Sequence, residues 1–418
     1  MGLLTICMFT VAFAMVARRL SMSVVTAPMA FIALGVFIAI TGLVANETAE
    51  AMLHVVAEIT LIVLLFLDAA QIDLAALRKQ HVWPVRMLAL GMPLMLIFGI
   101  IAAFPFLPGL PLAAIVLVAA ILMPTDAALG QSVVTNPLVP ERVRRAITVE
   151  SGLNDGLALP AILLFASLTA EAMDGEQVNW LLFTVKQLVL GPIAGVSIGL
   201  AGGAILLFAK RHELTSDIYE GVGALALAGS AYLAADLIGG NGFISAFAAG
   251  LAFGNIVKGR CKFIFEFTES EGQLLTWGAF LLIGLALVPN ALTYLTPMTL
   301  GLILVSLVIV RPLAIWISLI GTDASPVTRI FVGWFGPRGL ATALFALVVL
   351  HEIPHELADP ILALAVNTVW ISALLHGVTA APAARWYANI IKRRGPCPET
   401  QAIESTAKPL VTRGSMPK

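Results

Sequence analysis

Apolar runs of membrane-spanning length recur from one end of this chain to the other, and no other feature limits its fold so severely. Crossing the hydrocarbon core takes about 20 mostly apolar residues in a helix. Thirteen such runs, separated by charged or Pro/Gly-rich turns, lie near 3–17, 24–44, 51–67, 86–104, 112–136, 145–170, 180–209, 218–237, 241–257, 272–289, 297–320, 326–350 and 358–380. Of the 418 residues 59% are apolar and 12% charged, whereas a soluble chain carries about 25% charged residues. Polar surface for two or three water-soluble domains is therefore lacking, which excludes a cytosolic enzyme and a disordered scaffold. A net charge of −1 removes any reason to invoke a nucleic acid, leaving the lipid bilayer as the chain's surroundings. Cys7, Cys261 and Cys397 are too few and too scattered for a disulfide framework or a zinc site.

The basic residues orient the spans, because Lys and Arg favour cytoplasmic loops. Arg18 and Arg19 follow span 1; Arg78, Lys79 and Arg86 follow span 3; Arg142, Arg144 and Arg145 follow span 5. Lys210 and Arg211 follow span 7, Lys258, Arg260 and Lys262 span 9, and Arg329 span 11. The tail adds Arg385, Lys392, Arg393, Arg394, Lys408, Arg413 and Lys418. Loops after even spans hold only acids, such as Glu47, Glu171 and Glu352. The N-terminus is expected outside and the C-terminus in the cytoplasm. Nothing positive precedes the first run, so residues 1–17 do not read as a cleavable signal. Residues 1–380 form one transmembrane unit, and the tail 392–418, with little apolar content, is expected to be disordered. Connections are short, so any chemistry must lie inside the membrane.

Three bases fall within spans, Lys186, Arg311 and Arg338, together with the acids Glu58, Asp126, Glu150, Asp155 and Asp236, and Asp68 and Glu220 near span ends. A charge at mid-bilayer costs at least about 2.5–3.5 kcal/mol, so each is a candidate functional group. Lys186 is near enough to its span's outer end to snorkel. Glu58, Asp68 and Asp236 read as packing partners, dimer-face groups or part of an ion entry path. Span 6 carries Glu150-Ser151-Gly152-Leu153-Asn154-Asp155-Gly156. On a helix Glu150, Ser151, Asn154 and Asp155 fall within an arc of about 140°. This oxygen-rich wall suits a dehydrated hard cation.

Span 5 is interrupted at Pro124-Thr125-Asp126 and span 12 at Gly336-Pro337-Arg338-Gly339. Proline breaks the helical ladder, and paired interrupted helices in two halves of a chain point to a transporter's binding site. The breaks are seven spans apart, so spans 1–6 match 8–13 with inverted orientation and span 7 links them. Half-helix N-termini then meet, as do C-termini, and Asp126 and Arg338 supply the acid and the base that neutralise these ends. Arg311 remains to pair with Glu150, since an unpaired buried charge costs far more than a pair. Asp155 is left without a partner and must take up a proton or hold a cation. One site for which the two compete is the minimum for exchange, one-for-one and electrically silent because Asn154 precedes it.

ESGLNDGLALP at 150–160, PTD at 124–126 and GPRGL at 336–340 together resemble the cation/proton antiporters of the NhaP/NHE type, and the likeness extends over nearly all thirteen spans. It departs at Ala127 and Pro337, neither at a ligand position. The resemblance implies the all-α NhaA/NhaP-like fold, with a dimerisation part and a mobile core of spans 4–6 and 11–13, residues 86–170 and 297–380. It implies a homodimer in a bacterial inner membrane with a periplasmic N-terminus, and elevator-like exchange of Na⁺ or Li⁺ for H⁺ without any cofactor. The ion ligands would be Asp155, the Ser151 hydroxyl, backbone oxygen near Thr125 and Glu150 through water. Asn154 would brace Asp155, and Arg311 would hold Glu150. The animal exchangers' large regulatory tail is not expected.

Three other readings compete. A K⁺/H⁺ antiporter would use the same scaffold, because spacing does not report cavity size or ligand number. A membrane-embedded lipid-phosphate transferase would need a His/acid cluster at the surface. His54, His81, His212 and His376 are scattered, and His351-Glu352 with His355-Glu356 read as a solvated turn. A channel suits a lone proton-or-cation carboxylate less well than alternating access does.

Overall fold

Where the sequence is apolar the chain is helical. The computed structural model describes residues 1–20, 24–44, 46–79, 81–126, 129–174, 179–257 and 262–401, and among them there is no strand. Fourteen elements carry the architecture: α1 (Gly2–Leu20), α2 (Ala27–Thr41), α3 (Asn46–Ala70), α4 (Val82–Ala103), α5 (Leu112–Ile121), α6 (Glu141–Asp174) and α7 (Lys186–Arg211) in the first part. The second part contains α8 (Asp217–Leu237), α9 (Gly242–Val257), α10 (Gly272–Thr293), α11 (Pro297–Ser318), α12 (Pro326–Trp334), α13 (Leu340–Val348) and α14 (His355–Arg394). Eight of the described helices are long and apolar enough to cross a membrane, and α1, α2, α5 and α9 are shorter apolar helices.

Proline shapes these rods without always breaking them. Met87–Gly91, Lys186–Leu190, Ile283–Leu287 and Ser306–Val310 are π-helical turns, and each is followed two residues later by Pro93, Pro192, Pro289 or Pro312. A proline ring lacks the N–H and collides with the carbonyl one turn back; widening that turn by one residue relieves the collision. In α4 and α11, which the inverted matching pairs, the π-turns lie against the partner helix.

Two groups of helices pack internally. One comprises α1–α3 and α7–α10, with α9 held between α3 and α7. Here the backbones touch: a Cβ at Gly250 or Gly254 would collide with the carbonyls of Phe66 or Ala70, and one at Gly195 or Gly199 with those of Ser245 or Ala249. The other group comprises α4–α6 and α11–α14. The groups meet along α3–α6, α3–α13, α6–α9, α10–α14 and α2–α14.

The tail departs from expectation. The last helix runs on to Arg394, and the chain turns at Gly395 (φ 73°) into a short helix, Pro398–Thr400, that packs back on the bundle. Glu399 is 1% exposed, and its carboxylate accepts hydrogen bonds from the Ser325 N–H (3.0 Å) and the Thr328 hydroxyl (2.7 Å). Thr328 also meets the Tyr387 hydroxyl at 2.8 Å. Arg142 donates to the Pro398 carbonyl at 2.9 Å, pairs with Asp323 at 2.7 Å and lies over the Trp83 ring, whose N–H donates to Asp323 at 2.7 Å. Specific polar partners therefore order a segment whose composition alone suggests disorder. Residues 402–418, the remainder of the expected disordered tail, lie outside the described residues, as does the basic loop at 258–261.

Burial alone would raise the Glu399 carboxyl, but the hydrogen bonds from Thr328 and Ser325 outweigh it and hold it down at about 2 against an ordinary 4.5. Its contribution to stability is thus complete above pH 4.5 and lost as pH falls through about 2. Glu399→Ala should cost about 1–3 kcal/mol at neutral pH by stranding the Ser325 and Thr328 donors, seen as a lower melting temperature of the detergent-solubilised protein. Unchanged melting at pH 7 would show that the tail does not dock.

Candidate ion-binding site

The site forms where two helices stop. α5 ends at Ile121 and α12 at Trp334, and the stretches of unwound chain that follow are hydrogen-bonded to each other: the Asp126 N–H donates to the Pro337 carbonyl at 2.9 Å. The Asp126 carboxylate accepts the Leu340 N–H at 2.8 Å, at the first residue of α13. A helix start exposes donors with no intrahelical partner and partial positive charge, so a carboxylate there is doubly favourable. Two glycines permit this approach. A Cβ at Gly339 would fall on the Asp126 carboxylate, and one at Gly336 on the Arg311 guanidinium. Arg338, 1% exposed, donates to the Gly336 carbonyl at 3.1 Å and borders the same small void as Leu122 and Met123 beyond the C-terminal end of α5. Acid thus lies at a helix start, while the base is held by a carbonyl of the unwound chain beside a void that follows a helix end.

Beside the crossing, α6 presents its polar face. Glu150 and Arg311, 0% and 1% exposed, form a two-pronged pair, Nη1–Oε1 at 2.9 Å and Nη2–Oε2 at 3.1 Å. Arg311 leaves α11 directly after its π-turn. The Ser151 hydroxyl donates to the Thr125 carbonyl at 2.6 Å, so these two expected ligands are in contact. Two expectations need correction. Asn154 does not brace Asp155: its amide donates to the Thr125 hydroxyl (2.5 Å) and, more weakly, to Glu150 (3.4 Å), the residue one turn below it on the helix. Of the four expected ligands only Asp155 borders the cavity: both Glu150 oxygens are committed to Arg311, and the Ser151 hydroxyl and Thr125 carbonyl are bonded to each other.

Asp155 points elsewhere. Its Oδ1 is buried with no hydrogen-bond partner, and among the described residues no base forms an ion pair with it. It borders a cavity of about 60 Å³ between the two helix groups, room for a few water molecules. Asp126, Thr276, Leu340, Ala341 and Leu344 line the same space, as do Leu61, Leu64, Leu65 and Asp68 of α3. Asp68, whose position near a span end suits packing or ion entry equally, is thus a wall of the cavity itself. The sequence holds a signal of this: Leu61, Leu64, Leu65 and Asp68 follow the i, i+3, i+4, i+7 stripe of one helix face, and an acid that continues an apolar stripe must face something polar.

The remaining membrane-level charges are accounted for. The Tyr232 hydroxyl donates to Glu58 at 2.6 Å, Lys210 reaches buried Glu220 at 2.9 Å, and Lys186 and Asp236 are exposed. Glu352, His355 and Glu356 are exposed too; the His351 side chain lies outside the described residues.

Comparison with known proteins gives a consistent picture. The chain matches the family described as sodium/hydrogen exchanger, transmembrane, over residues 4–386. It is 30% identical over 349 residues to a K(+)/H(+) antiporter NhaP2 of Shewanella sp. (strain ANA-3), covering 79% of this chain and 57% of that protein. It is 28% identical over 298 residues to a K(+)/H(+) antiporter NhaP of Alkalimonas amylolytica, covering 70% of this chain and 50% of that one. The chain thus spans about half the length of these curated relatives. Its fold matches the sodium proton antiporter MjNhaP1 of Methanocaldococcus jannaschii with a TM-score of 0.75 and 20% identity, covering 93% of this chain and 97% of that one.

The buried pair makes its own prediction. Arg311→Ala strands a carboxylate and should destabilise the protein by about 3–5 kcal/mol, while adding Glu150→Gln should restore most of the loss. Melting curves of the purified variants decide this, and equal losses in the single and double variants would mean that the pair is not coupled.

Proposed function

The chain belongs to the sodium/hydrogen exchanger family, a family of transporters and not of enzymes, and from that membership we propose that it is a secondary antiporter exchanging one monovalent cation for one proton at Asp155. The observation that carries the reading is the contrast within the site. Glu150 is paired with Arg311 and Asp126 accepts a helix-start N–H, whereas the Asp155 carboxylate faces a cavity and, among the described residues, has no base paired with it. A carboxylate so placed is neutralised by a proton or by a bound cation, and by only one at a time. Asp68 adds a second carboxylate on the opposite wall. The Ser151 hydroxyl and Thr125 carbonyl, hydrogen-bonded to each other, would join the ligand set, as oxygens suited to a hard cation, only by turning toward the cavity.

In this proposal α4–α6 and α11–α14 carry the site past a frame of α1–α3 and α7–α10, giving access from alternate sides. The glycine-mediated contacts of α9 with α3 and α7 suit the frame to stay rigid. The protein works as a homodimer in a bacterial inner membrane with its N-terminus outside, an orientation supported by the bias of basic residues. The first cation reading is Na⁺ or Li⁺. The second is K⁺, favoured by the 30% identity to a protein named K(+)/H(+) antiporter NhaP2.

The test uses liposomes holding purified protein and a pH-sensitive dye. Adding Na⁺, Li⁺ and K⁺ in turn should move protons with at least one of them; Asp155→Asn should abolish the movement, and retained exchange in that variant would put the site elsewhere. Clamping the membrane potential to zero should leave the rate unchanged, and a strong voltage response would contradict the one-for-one exchange.

A further inference from the structure

Ser372 and His376 lie one turn apart on α14, 0% and 1% exposed, and neither borders the cavity nor joins a charge pair. Both reach the unwound segment of the second interrupted helix. The Ser372 Oγ accepts the Arg338 N–H at 2.8 Å, in the middle of the break. The His376 Nε2 lies 3.1 Å from the carbonyl of Trp334, the last residue of α12, while Nδ1 lies 3.1 Å from the Ser372 Oγ and 3.0 Å from the Ser372 carbonyl. With Nε2–H directed at the Trp334 carbonyl, Nδ1 accepts the Ser372 hydroxyl proton, and the chain runs unbroken from the Arg338 N–H through serine to imidazole. Trp334 is fixed a second time, through its indole N–H, which donates to the Thr379 hydroxyl of the same helix at 3.1 Å.

We propose that Ser372 and His376 are positioning residues for cation binding: they bracket residues 334–338 at both ends and so hold the break in the conformation that builds the cavity wall. The need is physical. Residues 335–339 have no helical ladder and include Gly336 and Gly339, which close approach to Arg311 and Asp126 requires but which leave the backbone with the greatest conformational freedom. The Pro337 carbonyl and Leu340 N–H together hold Asp126. Asp126 follows Thr125, whose carbonyl accepts the Ser151 hydroxyl. Releasing the bracket lets this wall drift relative to Asp155, although neither bracket residue meets the ion.

The inference rests on the antiport reading, so its experiment starts from wild-type proteoliposomes that show cation-driven proton flux. There, Ser372→Ala and His376→Ala should raise the cation KM about tenfold while changing the maximal rate by less than about twofold, the split expected when binding geometry is lost. His376→Gln, whose amide nitrogen can occupy the Nε2 position, should bring KM back to within about twofold of wild type. If His376→Ala fails to fold, Ser372→Ala alone carries the KM test. Wild-type KM in Ser372→Ala would overturn the inference, as would His376→Gln behaving no better than His376→Ala. Wild-type vesicles without any cation-driven flux would overturn the antiport reading, and this inference with it.

Discussion

A charge inside lipid needs a counter-charge, a helix end or an ion it can hold, because the hydrocarbon offers nothing else. The arrangement around the crossing follows from that constraint. Arg311 meets buried Glu150 with two hydrogen bonds, Asp126 takes the start of an interrupted helix, and Arg338 donates to a carbonyl of the unwound chain. Against the Glu150–Arg311 pair, the Asp155 carboxylate, with no base paired to it among the described residues, stands out by contrast. Asp68 shares its cavity, so positive charge is wanted in a space between two acids from opposite helix groups. Movement of one group past the other would change their separation.

Interruption of a helix creates the opportunity and also the difficulty. Unwound backbone supplies the Thr125 and Pro337 carbonyls, but it must be held in place without a ladder. The protein uses mutual hydrogen bonds between the two breaks, side chains at their ends and neighbouring helices for this. By contrast, Pro93, Pro192, Pro289 and Pro312 are absorbed by π-turns that leave their helices continuous. The difference lies in what flanks the ring. Pro337 has a glycine within two residues on both sides, Gly336 and Gly339, and there the chain leaves the helix, whereas none of the other four prolines is flanked in this way.

Much of this is legible in the amino-acid order itself. Apolar runs mark the helices, Pro-Thr-Asp and Gly-Pro-Arg-Gly mark the breaks, and the lack of other deep bases directs Arg311 to Glu150. The features that are not legible depend on neighbours distant in sequence. Asn154 sits on the arc that contains Asp155, but the Thr125 hydroxyl, 29 residues away, competes for its amide and holds it at 2.5 Å. Asp68 faces the cavity because α3 packs on α6 and α13, which periodicity along α3 hints at but does not name. The docking of Glu399 needs donors at Ser325 and Thr328, and nothing in the composition of the tail foretells them. His376, one of several scattered histidines in the sequence, acquires its place only when α14 lies against the break.

The central claim is that one carboxylate serves both ions in turn. Its most direct test is the rate of cation uptake into liposomes, measured against cation concentration at a series of pH values equal on both sides. Competition at Asp155 requires that acidification raise the cation KM while the maximal rate stays constant. A maximal rate that falls at unchanged KM would mean that proton and cation occupy different groups, and the account of the site would fail.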